Sequence, residues 1–352
     1  MTRNQFNLME STTVPIRYHV AKFNENEENP LLRFEHVLEA RTPISGALNL
    51  TPKKTPLIQS EYINQLLKCD LYFKCEHLQH TGSFKVRGVL NWFRLNGGDV
   101  KEVVTFSSGN HGLALSWAAQ KLGVPASVFV PENLSARKKE GMLRYGATLI
   151  PVGTSVEARR DACQVYAAKK GASLVPPFEG EEIIAGQGTI ALEIVEELPL
   201  FDAVLVPVGG GGLCSGVGIV LRALRPHSRL IGCEPETGDD FYQSFAAKTL
   251  IQNSVSPTMA EGLRHASVGQ LNWKHMKNLV SEVKCCSERK IVEAFQILAN
   301  ETKQVVEPSG AVAFASLLEH VSSFQGKKVV VILSGGNATL KDLACYQASV
   351  EP

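Results

Sequence analysis

The chain has 352 residues, 44% of them hydrophobic, enough to bury a large core and, on ordinary domain sizes, to divide into two lobes. Lys and Arg total 36 against 35 for Asp and Glu, so the formal charge is +1; with no basic face to hold nucleic acid or an anionic membrane, a small-molecule partner is expected. Eight cysteines without a C-x-x-C pair or metal-ligand spacing read as reduced, packed thiols, and no apolar run approaches ~20 residues, so a soluble cytosolic protein is expected.

Residues 1–30 show little periodicity and read as a mobile extension. The extension lacks an apolar signal core, and Glu10, Glu25, Glu27 and Glu28 argue against a transit peptide despite Arg3, Arg17 and Lys22. After it, short β-rich runs predict strands at Leu71 to Cys75, Val103 to Phe106, Ser127 to Val130, Thr148 to Val152, Ala203 to Val208, Leu230 to Cys233 and Lys328 to Leu333. Helical patterns fill the gaps at Asn110 to Leu122, Ser135 to Tyr145, Val156 to Lys170, Gly188 to Leu198, Leu213 to Leu224 and Gly310 to His320. The alternation predicts an α/β fold with parallel sheets, and a further helix over Lys290 to Thr302 reads as core. In such sheets ligands sit beyond the carboxyl ends of strands, at the N-termini of the helices that follow. Three turns rich in glycine and small polar residues stand there and should converge on one ligand: Ser107-Ser108-Gly109-Asn110, Gly209 to Gly212, and Ser334-Gly335-Gly336-Asn337.

Gly209, Gly210, Gly211 and Gly212 follow a strand and precede a helix, so their backbone can wrap an anion such as a phosphate, although a tight structural turn explains four glycines equally well. No Lys-Ser or Lys-Thr follows, which excludes a Walker loop. In His80-Thr81-Gly82-Ser83-Phe84-Lys85-Val86-Arg87-Gly88 a lysine opens a helix, against the macrodipole. Either Lys85 is solvated, or it is a desolvated amine of lowered pKa suited to Schiff-base chemistry.

Together, Thr81 to Gly88, Ser107-Ser108-Gly109-Asn110-His111-Gly112, Gly209 to Gly212 and Ser334 to Asn337 resemble, in the same order, the motifs of the fold-type II (tryptophan synthase beta-like) pyridoxal-phosphate enzymes, most of all the serine racemase and serine/threonine dehydratase family. The resemblance covers about residues 35–345. It implies a large cofactor-binding domain over 31–101 and 180–352 and a small mobile domain over 102–179. It implies that Lys85 carries the cofactor as a Schiff base and that Gly209 to Gly212 hold its phosphate. Asn110 would meet the phenolic oxygen, Phe84 and Gly262 the two ring faces, and Ser334 the pyridine nitrogen, whose neutral partner makes a mild electron sink. Substrate would rest on Ser107, Ser108, Asn110 and His111, with Arg159 approaching on domain closure; a solvated charge is the plainer reading of Arg159. Lys85 would take the α-proton, and Ser108 would return one from the other face for racemisation, although Ser at that place is also an ordinary helix N-cap. Glu234, the Gly238 carbonyl and Asp240 would hold a divalent cation, Mg²⁺ or else Ca²⁺ or Mn²⁺, in a structural role.

The chain departs from the family pattern at three places. His80 replaces a lysine and Leu113 a glutamine where nucleotide contacts are expected, so ATP activation does not carry over even though Tyr145 and Asn337 keep that pattern. His265 replaces a small serine, and its imidazole would either line the cleft or contact a second substrate carboxylate, which would favour threo-3-hydroxyaspartate. No regulatory domain follows Pro352, so feedback control of the biosynthetic deaminase kind is not expected, and a homodimer is what the resemblance implies. The expected activity is serine racemisation and/or elimination of L-serine or L-threonine to keto acid and ammonia. A β-replacement synthase, a non-catalytic cofactor-binding protein and a dinucleotide-dependent oxidoreductase are the competing readings.

Overall fold

The computed structural model describes residues 32–44, 50–255 and 257–350; the expected N-terminal extension, with the charged residues weighed in it, lies outside them. Among the described residues ten strands form two sheets. In chain order they are β1 (Leu57–Ile58), β2 (Asp70–Lys74), β3 (Val103–Phe106), β4 (Ala126–Val130), β5 (Thr148–Pro151), β6 (Ser173–Leu174), β7 (Ala203–Pro207), β8 (Arg229–Pro235), β9 (Glu282–Cys286) and β10 (Lys328–Ile332). The larger sheet runs β1-β2-β10-β7-β8-β9, with only β1 antiparallel, and the smaller runs β5-β4-β3-β6, all parallel.

All seven predicted strands are present to within two residues at either end. Central strands such as β4 and β7 are buried at every position, which is why they read as continuous apolar runs. Three strands escaped notice. β1 and β6 are two residues long, and β9 is an edge strand that tolerates charge: its Lys284 pairs with Glu282 at 2.8 Å, and Glu282 also pairs with Arg229 of β8.

The helix expected from Gly188 begins earlier, at Glu181, and runs to Glu197. Gly186 and Gly188 do not punctuate it; they let it touch its neighbours. A Cβ on Gly186 would lie 2.6 Å from Gly88 Cα in the helix Lys85–Asn96, and one on Gly216 would lie 3.0 Å from Gly188 Cα. Glycines therefore set the spacing between the Lys85 helix, the Glu181–Glu197 helix and the helix Gly212–Leu224 that follows the four-glycine turn. The Lys290 to Thr302 pattern becomes an α-helix over Glu288–Ile297 that ends in a π-turn at Leu298–Thr302, and it packs into the core as expected.

Beneath the Lys85 helix lies a buried ionic cluster. Arg87 donates from Nε and Nη2 to Glu76, each at 2.7 Å, and from Nη1 and Nη2 to Glu193 at 2.7 and 2.9 Å. Lys74 of β2 pairs with Glu193 at 2.7 Å and donates to the Thr55 carbonyl at 2.6 Å. Burial works against the charge of Arg87, but Glu76 and Glu193 hold its pKa above the usual value; burial raises the Glu193 carboxyl, and Arg87 and Lys74 more than reverse this. Removing one member of such a cluster strands a buried charge. Glu193→Ala should lower unfolding stability by roughly 3–5 kcal/mol, read from the urea midpoint against the unaltered chain, and an unchanged midpoint would show that the cluster does not hold the fold.

Candidate active site

The turns after β2, β3, β7 and β10 meet in one cleft of about 620 Å³ between the two sheets. Every residue expected to bind cofactor or substrate lines this cleft, whereas the three proposed metal ligands do not.

Lys85 is the first residue of its helix, and its amine donates to the Pro177 carbonyl at 2.7 Å, 5.2 Å from the centroid of the Phe84 ring. Loss of solvent lowers its pKa to about 8. The desolvated reading of Lys85 is the one that matches this surrounding. Two imidazoles stand nearby, both held neutral. Burial, and secondarily the Lys85 charge, lower His111 to about 3 and His265 to about 4. His111 approaches the Val175 carbonyl at 3.2 Å, and His265 packs T-shaped on Phe178 with centroids 4.9 Å apart.

Gly209 to Gly212 are buried and run into the helix Gly212–Leu224, whose first N–H groups lack intrahelical partners. Gly211 has φ +90°, and a Cβ on Gly209 would lie 2.9 Å from the His265 ring. A Cβ on Gly210 would overlap the Phe178 ring. The loop is thus a cradle that side chains would fill.

Ser107 accepts the N–H groups of Gly109 at 3.2 Å and Gly112 at 3.0 Å. The N-cap position of the helix Asn110–Leu122 belongs to Gly109, so Ser107 satisfies its first turn and the capping role weighed for Ser108 is not realised. Ser108 is exposed to the cleft, and its hydroxyl has no partner among the described residues. Arg159 is buried, not solvated. It donates from Nη1 to the Thr154 carbonyl at 2.9 Å, while its Nε has no partner among the described residues. Gly262 N–H donates to Ser309 Oγ at 2.8 Å, and the buried Ser334 hydroxyl donates to the Ser309 carbonyl at 3.5 Å.

The structure adds cleft residues that the motifs did not mark, including Phe178, Gln187 and Glu307. Glu307 accepts from Asn110 Nδ2 at 2.6 Å; its only signal in the sequence is an acid directly before Pro308 at a helix start. Of the two replaced nucleotide positions, Leu113 lines the cleft, whereas His80 stacks on Trp117 at 4.7 Å and 20°.

Glu234 and Asp240 are buried on and just after β8. Glu234 accepts the N–H groups of Phe241 at 3.1 Å and Tyr242 at 2.7 Å, and Asp240 Oδ2 has no partner among the described residues. Burial, and then Asp240, push Glu234 well above the carboxylate range, and burial raises Asp240 to about 7. Among the described residues no three His, Cys, Asp or Glu side chains gather as metal ligands, so a cation here would need the Gly238 carbonyl and water.

These features fit a phosphate-bearing aldehyde cofactor: an amine with lowered pKa, a glycine cradle at a helix N-terminus, and hydroxyl and amide groups between them. Comparison with known proteins agrees. The family model described as pyridoxal-phosphate dependent enzyme matches residues 48–335. The chain is 40% identical over 312 residues to a beta-hydroxyaspartate dehydratase of Paracoccus denitrificans, covering 88% of this chain and 98% of that protein. It is 37% identical over 310 residues to an L-threo-3-hydroxyaspartate ammonia-lyase of Saccharomyces cerevisiae, covering 88% and 94%. The solved structure of maize serine racemase superimposes with a TM-score of 0.83 at 35% identity, covering 90% of this chain and 97% of that one.

A lysine pKa near 8 leaves about one amine in ten unprotonated at pH 7, against fewer than one in a thousand for an ordinary lysine. In the cofactor-free chain, acylation of Lys85 should therefore rise with pH and level off above about 8, whereas surface lysines keep gaining reactivity past pH 10. Peptide mapping after timed labelling measures this; a Lys85 profile that follows the surface lysines would remove the desolvation argument.

Proposed function

The chain belongs to the pyridoxal-phosphate dependent enzymes, and from that premise we propose that it is an ammonia-lyase of small hydroxy-amino acids that prefers L-threo-3-hydroxyaspartate to L-serine and L-threonine. The observation that carries the preference is His265, a neutral imidazole in the wall of the cleft that Lys85 enters. The two relatives named for acting on hydroxyaspartate support it. Serine racemisation is the second reading, favoured by the exposed, unpartnered hydroxyl of Ser108 and by the likeness to maize serine racemase.

Gly209 to Gly212 would hold the cofactor phosphate, Asn110 its phenolic oxygen and Ser334 its ring nitrogen, with Phe84 and Gly262 on the ring faces. Bound to Lys85, the cofactor supplies a sink for the electron pair left when the α C–H bond breaks. The backbone N–H groups of Asn110 and His111 at the start of the Asn110–Leu122 helix, with the Ser107 hydroxyl, receive the α-carboxylate. His265 donates to the second carboxylate, and Arg159 approaches from the smaller sheet, where its unpartnered Nε is free to donate. Lys85, once displaced, takes the α-proton on its neutral amine; loss of the β-hydroxyl as water and hydrolysis then give keto acid and ammonia. In racemisation Ser108 delivers the returning proton to the other face.

The small domain, 102–179, closes on the large one, 31–101 and 180–352, to exclude water during these steps. Glu234, the Gly238 carbonyl and Asp240 hold Mg²⁺, or Ca²⁺ or Mn²⁺ in its place; two buried carboxylates, one with an unpartnered oxygen, suit a hard cation and would be neutralised by it. A cytosolic location rests on the composition and the polar N-terminus, and a homodimer on the resemblance alone. Among the described residues no helix is long and apolar enough to cross a membrane.

The deciding experiment follows keto acid and D-enantiomer from L-threo-3-hydroxyaspartate, L-serine and L-threonine with purified protein, pyridoxal phosphate and Mg²⁺. Keto acid with the highest kcat/KM on hydroxyaspartate is expected; D-serine as the main product would establish the second reading, and no turnover of any would sink both. His265→Ser should raise KM for hydroxyaspartate about ten- to hundredfold, the loss of one hydrogen bond to a charged group, and leave KM for L-serine within about threefold. Equal effects on both substrates would deny His265 a second carboxylate. Ser108→Ala should abolish any interconversion of L- and D-serine and keep part of the elimination, and parallel loss of both would show that Ser108 does not act from the second face.

A further inference from the structure

Glu307 is not among the residues to which the cofactor motifs point, yet it ends a chain of hydrogen bonds that ties three cleft turns together. Asn337, in the turn after β10, donates from Nδ2 to the Thr81 carbonyl at 2.8 Å and to Asn110 Oδ1 at 2.8 Å. Asn110 Nδ2 then donates to Glu307 Oε1 at 2.6 Å. Thr81 sits at φ 62°, a left-handed conformation costly for a β-branched residue, so its carbonyl is held where the chain needs an acceptor.

The two ends of this chain decide its direction. A peptide carbonyl accepts and never donates, and the Glu307 carboxylate does the same when ionised; burial raises its pKa, and the Asn110 hydrogen bond and Lys138 work against that rise. With acceptors at both ends, each amide between them must present its nitrogen outward, and flipping Asn110 would put its oxygen against the Glu307 carboxylate. Asn110 Nδ2 carries a second hydrogen that Glu307 does not use. We propose that Glu307 is a positioning residue that locks the amide of Asn110 with its nitrogen, not its oxygen, toward the cofactor's phenolic oxygen. This rests on the function proposed above. The charged groups facing Glu307 from neighbouring elements are Lys138 and Glu261, which pair with each other across the cleft mouth, so neither replaces Asn110 as its partner.

Glu307→Gln is the informative substitution because it keeps shape and length but lets the end of the chain donate as well as accept. The direction of the chain is then no longer forced. In the holoenzyme, Glu307→Gln should shift the visible absorption band of the bound cofactor and lower kcat about tenfold, with substrate KM within threefold. Glu307→Leu should do the same more strongly, and the double variant Glu307→Leu with Asn110→Ala should be no worse than Asn110→Ala alone, since Glu307 acts through Asn110. A Glu307→Gln protein with the unaltered spectrum and turnover would overturn the proposal, as would effects that multiply in the double variant. Circular dichroism and the melting temperature identify any variant that fails to fold, in which case the Gln variant alone decides. If the unaltered chain forms no visible cofactor band, the proposed function itself has failed, which is a different outcome from a spectrum that Glu307→Gln leaves untouched.

Discussion

The Arg87 guanidinium, clasped between Glu76 and Glu193 two residues after Lys85, is the contact on which the rest of the site depends. It fixes the first turn of a helix that starts against an unfavourable dipole for lysine. Lys74, Glu76, Arg87 and Glu193 are two cations and two anions, so the cluster carries no net charge into the core. Replacing buried ions by apolar side chains of equal volume is often neutral or favourable, so the role that fits this cluster is orientation. Each Arg87 bond has a direction, and together they fix the helix turn from which Lys85 reaches the cleft.

The close packing of the helices serves the same end. Because Gly88, Gly186, Gly188 and Gly216 let three helices touch backbone to backbone, the helix that carries Lys85 and the helix that follows the Gly209 to Gly212 cradle both pack directly on the helix Glu181–Glu197. The opposing wall comes from the smaller sheet and carries Ser107, Ser108 and Arg159. Ion pairs between Lys138 and Glu261 and, at 3.5 Å, between Arg137 and Asp342 join the helix Ala136–Arg144 to the opposite rim. Both pairs are half-exposed and each adds little, which suits the domain closure proposed above.

Much of this was legible from the chain alone because the buried parallel strands are unbroken apolar runs and the ligand turns follow them at regular intervals. The glycine turn, Lys85, and the Ser107 to His111 and Ser334 to Asn337 segments are local patterns, and the fold brings them to one cleft. What was not legible depends on packing between distant segments. The Glu181 start of a helix was hidden by two glycines whose purpose is contact with other helices, and edge strand β9 was hidden by charges that only an edge tolerates. Glu307 is 197 residues from Asn110, and nothing local marks it. On sequence grounds either serine of the pair before Asn110 could meet the free N–H groups of that helix; the fold gives the N-cap position to Gly109 and those N–H contacts to Ser107.

On the proposed function, His265 is the residue that turns this cleft toward a dicarboxylate. In the free cleft its imidazole is neutral because burial and the nearby Lys85 both disfavour a cation. A substrate bearing a second carboxylate supplies the missing anion, and its charge opposes both effects at once. An imidazole that is a neutral donor in the free cleft becomes a stronger one as the dicarboxylate arrives. A monocarboxylate such as serine brings no such charge, so the cleft would still pay the cost of desolvating His265 and receive nothing in return. Discrimination of this kind needs no clash with the smaller substrate. It follows from leaving a polar group half-satisfied until the right partner enters, while the chemistry at Lys85 stays the same for both.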